Sequence, residues 1–287
     1  MTPTRARLLL AAVFMARGTS FLFSKTLMRT LQPMSILAVR FLLAFLILGA
    51  LFHRTLLHCD RKSLRGGVIL GALYTVCMVF EMFGLRLIDT GVSALIENMA
   101  IVLVPVFAAV LTRTLPQRKT MICAALAVVG VGFLSLTQQS SGNGGLGIFL
   151  AILAALTYAW CIMATETVSK DADPMAIGIV QLGVMGVLSA LIALPMGGVE
   201  LPHTGEEWVM LLMLVLVCSC FGFAFQPLGQ KYLPAEEAAV LTVVNPLTAS
   251  VMGILIAGES MSVAKCVGYV LILSALALYN MREKQRA

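Results

Sequence analysis

The stretch DTGVSALIENMAIVLVPVFAAVLTR, residues 89–113, constrains this chain more than any other. It is long enough to cross a bilayer, because about 20 apolar residues rising 1.5 Å each span the hydrocarbon core. Yet Glu97 and Asn98 sit well inside it, and Pro105 lies near its middle. A carboxylate at that depth costs roughly 2.5–3.5 kcal/mol on insertion scales, so such a residue faces a bundle interior or a water-filled path. Pro105 removes one helical hydrogen bond and predicts a kink. Residues 236–258, EEAAVLTVVNPLTASVMGILIAG, repeat the plan with Asn245-Pro246 at mid-helix. Pro105 and Pro246 lie 141 residues apart, and that offset organises the rest.

Of 287 residues 60% are hydrophobic and 12% charged, with a mean hydropathy of +0.97. No soluble globular domain has that composition, and the expected class is a polytopic, all-α membrane protein. The net charge of +6 is then a matter of topology and not a nucleic-acid footprint. Ten apolar segments follow one another, at 8–30, 33–52, 66–87, 90–112, 120–137, 146–168, 174–195, 208–231, 235–257 and 262–281. Arg5 and Arg7 before the first run resemble a signal-peptide start, but Arg17 interrupts the apolar core and no small-residue cleavage site follows. A retained first helix is expected.

Loop charges give an orientation. With the N-terminus inside, the cytoplasmic segments collect Arg5, Arg7, Arg54, Arg61, Lys62, Arg65, Arg113, Arg118, Lys119, Lys170, Lys231, Arg282, Lys284 and Arg286. The outer side collects Arg29, Arg86 and Lys265. Basic residues gather on the cytoplasmic side of membrane proteins, so both termini are expected in the cytoplasm.

The 141-residue offset also carries Pro33 onto Pro174, Lys25 onto Glu166, Arg17 onto Tyr158 and Arg40 onto Gln181. Five spans is an odd number, so a second copy must enter the membrane from the opposite side. The expectation is two inverted five-helix repeats, at 1–140 and 145–287, with a site near their interface.

Counting from the segment ends, Lys25, Arg40, Glu81 and Glu97 fall about 7–11 Å below the outer boundary. Two cations and two carboxylates at one level are expected to offset each other's desolvation. Lys25 and Arg40 either pair inward or snorkel toward the outer interface. Glu81 shares a helical stripe with Tyr74, Cys77 and Met78 and is read as facing the interior. Glu97 and Asn98 point about 100° apart, so both line the site or one bonds a neighbouring helix. Tyr158 and Trp160 lie deeper than interfacial aromatics and serve either as a stacking wall or as packing. Asn245 either contacts solute or bonds the carbonyls that Pro246 frees. Pro105 and Pro246 are the candidate hinges. Glu166, beside Lys170 and Asp171, reads as an interfacial salt bridge.

Other chemistry is sparse. No P-loop is present, so direct use of ATP is not expected. His53, His58 and His203 fall in loops, and the seven cysteines lack metal-ligand spacing with histidine. No catalytic residues, cofactor or metal are expected. A membrane-embedded enzyme and an ion channel are the rival classes, and neither a Ser-His-Asp constellation nor a filter-like loop supports them.

The order of features resembles the EamA family of the drug/metabolite transporter superfamily over essentially the whole chain. The residues carrying the resemblance are Gly18-Thr19-Ser20-Phe21 followed by Lys25, then Pro33 with Arg40-Phe41, then Val102-Leu103-Val104-Pro105, and finally Asn245-Pro246 with Gly258-Glu259. Two departures stand out: Arg17 replaces an aromatic often found before the first-helix glycine, and Gln117-Arg118 stand where the second copy has Gly258-Glu259. The resemblance implies a ten-helix secondary transporter working by alternating access across the cytoplasmic membrane, preferentially as an exporter. The expected partners are a small-molecule substrate and the lipid bilayer, with protons as coupling ion and no nucleic acid. The substrate expected is an amino acid or other amine-bearing solute, or an amphipathic drug; the alternative is uptake of a nutrient or nucleotide-like solute. Glu81 and Glu97 would accept an ammonium group, and Arg40 or Lys25 a carboxylate. A carboxyl held away from water can load and release a proton near neutral pH, while a nearby cation keeps it ionised, so the coupling residue expected is Glu97 or Glu81.

Overall fold

A computed structural model describes residues 1–113, 118–138, 143–242, 244–256, 258–259 and 261–280. Every regular element among them is helical. In a bilayer an unpaired backbone amide finds no water, and helices satisfy their own. The long helices are α1 (Pro3–Leu27), α2 (Pro33–Leu51), α3 (Arg61–Leu87) and α4 (Thr90–Leu111). After them come α5 (Arg118–Gln138), α6 (Gly144–Lys170), α7 (Pro174–Ala193) and α8 (Gly205–Gln230). The last are α9, in two parts (Ala235–Leu241 and Val244–Leu255), and α10 (Val263–Asn280). Among the described residues, eight helices are long and apolar enough to cross a membrane. In α5 and α10 the apolar stretches are shorter, Met121–Leu134 and Val263–Ser274.

Local chemistry sets the helix starts. The Thr2 hydroxyl accepts from the Arg5 amide ahead of Pro3, and Asp60 accepts from Ser63 at 3.2 Å. Asp173 accepts from Met175 at 2.9 Å, and Thr204 with Glu207 forms a capping box at α8. These caps start α1, α3 and α8 several residues before the apolar segments begin, because a helix runs past the hydrocarbon until its amides are capped. Pro33 and Pro174 both take the first turn of their helices, where a missing N–H costs nothing. Shifted by 141 residues, α1, α2 and α3 fall on α6, α7 and α8 to within three residues at each end.

The halves interleave. α2 packs along α7 and α5 along α10, while α1 lies against α8 and α9. Small residues permit these approaches, since lipid offers no hydrophobic drive and close van der Waals packing has to do that work. A Cβ on Gly18 would lie 2.7 Å from both the Asn245 carbonyl oxygen and the Thr248 Cβ, so the α1–α9 crossing depends on glycine there.

The helix interruptions do not fall at the prolines. α4 breaks at Asn98–Met99, between Thr90–Glu97 and Ala100–Leu111, and runs on as helix through Pro105. There the Asn98 side-chain amide donates back to the Ala94 carbonyl at 2.8 Å and closes the turn. α9 has its first part capped at Thr242, and Asn245-Pro246 open the second part. A proline in a first turn needs no partner, which is why Pro246 starts a helix where the pattern predicts a kink within one.

Gly18→Val should overpack the α1–α9 crossing. The expected result is a lower thermal midpoint for the detergent-purified protein, by an amount matching about 1–3 kcal/mol, with membrane insertion unchanged; a melting curve followed by size exclusion reads it.

Candidate functional site

Midway along its length α8 widens into a π-helix over Leu214–Phe223. Such turns are rare and gather at functional sites, because the extra residue per turn displaces side chains from the regular ladder. Here the widened segment presents Cys218, Ser219, Gly222 and Phe223 to α1 and α2. A Cβ on Gly222 would stand 2.9 Å from the Arg17 Cγ, so glycine leaves the space that Arg17 fills.

Arg17 is the centre of the site. It is 3% exposed, and its Nη1 donates to the Gln226 Oε1 at 2.7 Å and to the Tyr158 hydroxyl at 3.1 Å. Gln226 in turn donates from Nε2 to the Tyr74 hydroxyl at 2.8 Å. The Arg17 guanidinium carbon lies 4.2 Å from the Phe223 ring centre, 5.0 Å from Tyr158 and 5.9 Å from Tyr74. Arg40 reaches the same Phe223 ring at 5.6 Å, and its Nε donates to the Ser219 hydroxyl at 2.6 Å. Two buried guanidinium groups therefore share one aromatic ring. Desolvated cation–π contacts contribute about 2 kcal/mol or more each, which offsets part of the cost of burying the charges.

The counter-charges are Glu81 and Glu97. Glu81 acts electrostatically on both arginines, and Glu97 on Arg17. The two carboxyl groups are near enough to act on each other electrostatically. Two carboxylates offer no donor between them, and both Glu97 oxygens lack a hydrogen-bond partner. The Arg40 Nη2, the Asn98 Oδ1, the Gln181 Oε1 and the Asn245 Oδ1 are likewise buried without one. Buried polar atoms in that condition cost about 1–3 kcal/mol each unless water or a ligand meets them.

Of the residues singled out in the sequence, Arg40, Glu81, Glu97 and Tyr158 converge here. Asn98 lies at the α4 break, and Asn245 faces Gly18 from α9. Lys25 does not join them. Its ammonium donates to the Ile88 carbonyl at 2.8 Å and lies 3.7 Å from Glu259 and 4.0 Å from Asp89. The expected level of four charges thus divides, and Arg17 takes the place given to Lys25. Trp160 is 43% exposed and stacks on Phe107 at 5.2 Å, away from the centre. Glu166 pairs with Lys170 at 2.6 Å. Arg17, Ser219, Phe223 and Gln226 are absent from the sequence-based candidates. The signal for Arg17 was present in its position opposite Tyr158 at the 141-residue offset, since equivalent positions that touch lie where the two copies meet.

A multi-span helical bundle that buries two arginines, two glutamic acids and unpartnered polar atoms has the architecture of a membrane transport protein. The chain belongs to the EamA-like transporter family, whose model matches it twice, at residues 5–136 and 145–281. It is similar to the uncharacterized transporter YcxC of Bacillus subtilis, 25% identical over 284 residues, covering 94% of this chain and 90% of that one. It also resembles the uncharacterized transporter YwfM of Bacillus subtilis, 23% identical over 227 residues (75% and 74% of the two chains). An uncharacterized transporter of Archaeoglobus fulgidus is 24% identical over 193 residues, 66% of this chain and 67% of the relative. A solved crystal structure shares the fold, with a TM-score of 0.72, 15% identity and 98% coverage of both chains.

Arg17→Lys should keep the charge but lose the planar fork that bonds Gln226 and Tyr158 while lying on Phe223. Losing charge-assisted bonds of about 1.5–3 kcal/mol predicts roughly a ten- to hundredfold fall in flux through proteoliposomes, measured per mole of protein that remains monodisperse.

Proposed function

We propose that this protein is a secondary active transporter that moves a small amine-bearing solute, such as an amino acid, or an amphipathic drug, across the cytoplasmic membrane by alternating access. The observation that supports it best is the buried set of unmet polar atoms at the centre. The Glu97 oxygens are suited to an ammonium group and the Arg40 Nη2 to a carboxylate. The outward direction rests on the family resemblance. In this reading α1–α5 and α6–α10 are inverted repeats of ten spans, both termini are cytoplasmic, and the hinges are Pro105, within α4 beyond its break at Asn98–Met99, and Pro246, at the start of the second part of α9. The solute and the lipid bilayer are its partners; nucleic acid is not one, and catalysis has no part.

The Glu81–Glu97 pair is the proposed proton carrier. The groups around it are Arg17 from α1, Arg40 from α2, Cys77 from α3 and Tyr158 from α6. One proton shared between the two carboxyls supplies the donor that neither carboxylate has and leaves the pair with one negative charge; its release raises that to two, facing two arginines. Loading and release would then accompany solute exchange.

Two experiments test this. A thermal-shift screen of purified protein against amino acids, organic cations, vitamins and nucleotides should show stabilisation by amine-bearing solutes, because a ligand bound to the folded state raises its stability. Stabilisation by nucleotides alone would turn the reading toward the uptake alternative. Flux of the hit into proteoliposomes should saturate with solute; unitary currents or a chemically changed solute would replace a carrier by a channel or an enzyme. Glu81→Gln or Glu97→Gln should flatten the dependence of that flux on pH, and unchanged pH profiles in both would end the proton assignment.

Topology is open to a separate check. Reporters placed after Ala287 and near Ser141, positions outside the described residues, should report cytoplasm and periplasm respectively. The same side for both would remove the inverted arrangement.

A further inference from the structure

Outside the central site, two further groups of charges stand at the ends of the bundle. At one end Lys25, near the C-terminus of α1, bonds the Ile88 carbonyl and faces Asp89, the two residues that lead into α4. Glu259 reinforces this end. Its Oε1 and Oε2 accept from the Thr90 and Gly91 amides at 2.6 and 3.3 Å, and Lys265 lies 2.9 Å from Asp89 and 3.7 Å from Glu259. At the other end Glu166, near the C-terminus of α6, accepts from the Ala235 amide, the first of α9, at 2.9 Å. Lys170 holds its second oxygen, and Lys231 donates to the Ala172 carbonyl at 3.0 Å.

Lys25 and Glu166 are 141 residues apart, and so occupy the same position in the two copies. Each ties the first helix of its copy to the start of the fourth. The contact is therefore made twice, once at each end of the bundle, with the charge reversed: a cation on a carbonyl and carboxylates, then a carboxylate on a helix N-terminus.

We infer that these two ties are the gates of the protein, Lys25 closing the outer path and Glu166 the inner one. The inference rests on the alternating-access reading. Both ties are closed here, which makes this an occluded arrangement, and passage to either side needs one tie broken while its counterpart holds. A cavity of about 550 Å³ lies directly against the Lys25 tie, lined by Lys25, Arg29, Arg86, Asp89 and Glu259, as an outer vestibule stopped by its gate would be. Loss of one tie shifts the population toward the state open on that side.

Cys218 is a native reporter for both paths, since its sulfur is buried and lies 3.4 Å from the Thr19 hydroxyl beside the central site. The other six cysteines would be replaced, and Cys218 labelled by a membrane-impermeant maleimide in right-side-out and inside-out vesicles. Lys25→Met should raise labelling from the outside several-fold and leave the inside rate unchanged or lower. Glu166→Gln should do the reverse. Ala235→Pro tests the inner tie without touching a charge, because it removes the amide Glu166 accepts from. Pro234 before it already has φ −65° and ψ 154°, the extended conformation that a following proline demands. Increases from opposite faces support the two gates, and an exchange of the two faces would keep the gates while reversing the orientation. Increases from the same face, or none in any folded variant, would overturn the inference. The labelling needs no known solute, so it stands or falls separately from the flux assays.

Discussion

A guanidinium taken out of water into a bilayer has to recover its hydration from the protein, and Arg17 imposes that demand on every helix near it. Its recovery comes from four directions: Tyr158 on α6, Gln226 and Phe223 on α8, and Tyr74 on α3. Each of those side chains is itself fixed by what it gives to Arg17 or to its neighbours. The Gln226 amide can point its oxygen at the arginine because its nitrogen has the Tyr74 hydroxyl. Polar networks of this kind specify one arrangement of helices, since a partial set leaves a buried donor or acceptor unmet.

Irregular backbone gathers around the same point. The π-helix of α8 and the break of α4 at Asn98 both occur beside buried charge, and regular helix resumes away from it. Backbone groups released within the membrane are tolerated only where protein or a polar interior meets them. The polar centre and the departures from helical geometry are thus one feature, in which charge supplies partners for the backbone and the opened backbone makes room for charge.

Much of this was legible in the residues. Hydropathy marked the long helices among the described residues but not the short one at His53–Leu57, and the proline at 33 recurs at 174 because both start helices in the same way. Arg40, Glu81 and Glu97 stood out because an apolar run exposes any ionisable group within it. Lys25 was misplaced for a physical reason: depth along a helix gives its level but not its direction, and its direction is set by the Ile88 carbonyl and Glu259, remote in sequence. The kinks were assigned to prolines because a missing amide is visible in sequence. The turn at Asn98 depends on a side-chain bond to Ala94, which could equally form within an unbroken helix. Phe223 and Gln226 read as ordinary members of an apolar helix until the π-turn aims them at Arg17.

The space beneath Gly222 has a consequence for how this family can vary. Arg17 occupies the volume that a side chain at position 222 would need. The two positions therefore form a single steric unit in which length at one is permitted by its absence at the other. The atom in the way is the Arg17 Cγ, which an aromatic side chain also carries, so only a chain whose residue 17 ends at Cβ would free position 222 for a side chain. Such a chain would also lose the charge that draws Glu81 and Glu97 together. The two positions are therefore expected to change together, with the helical frame left as it is.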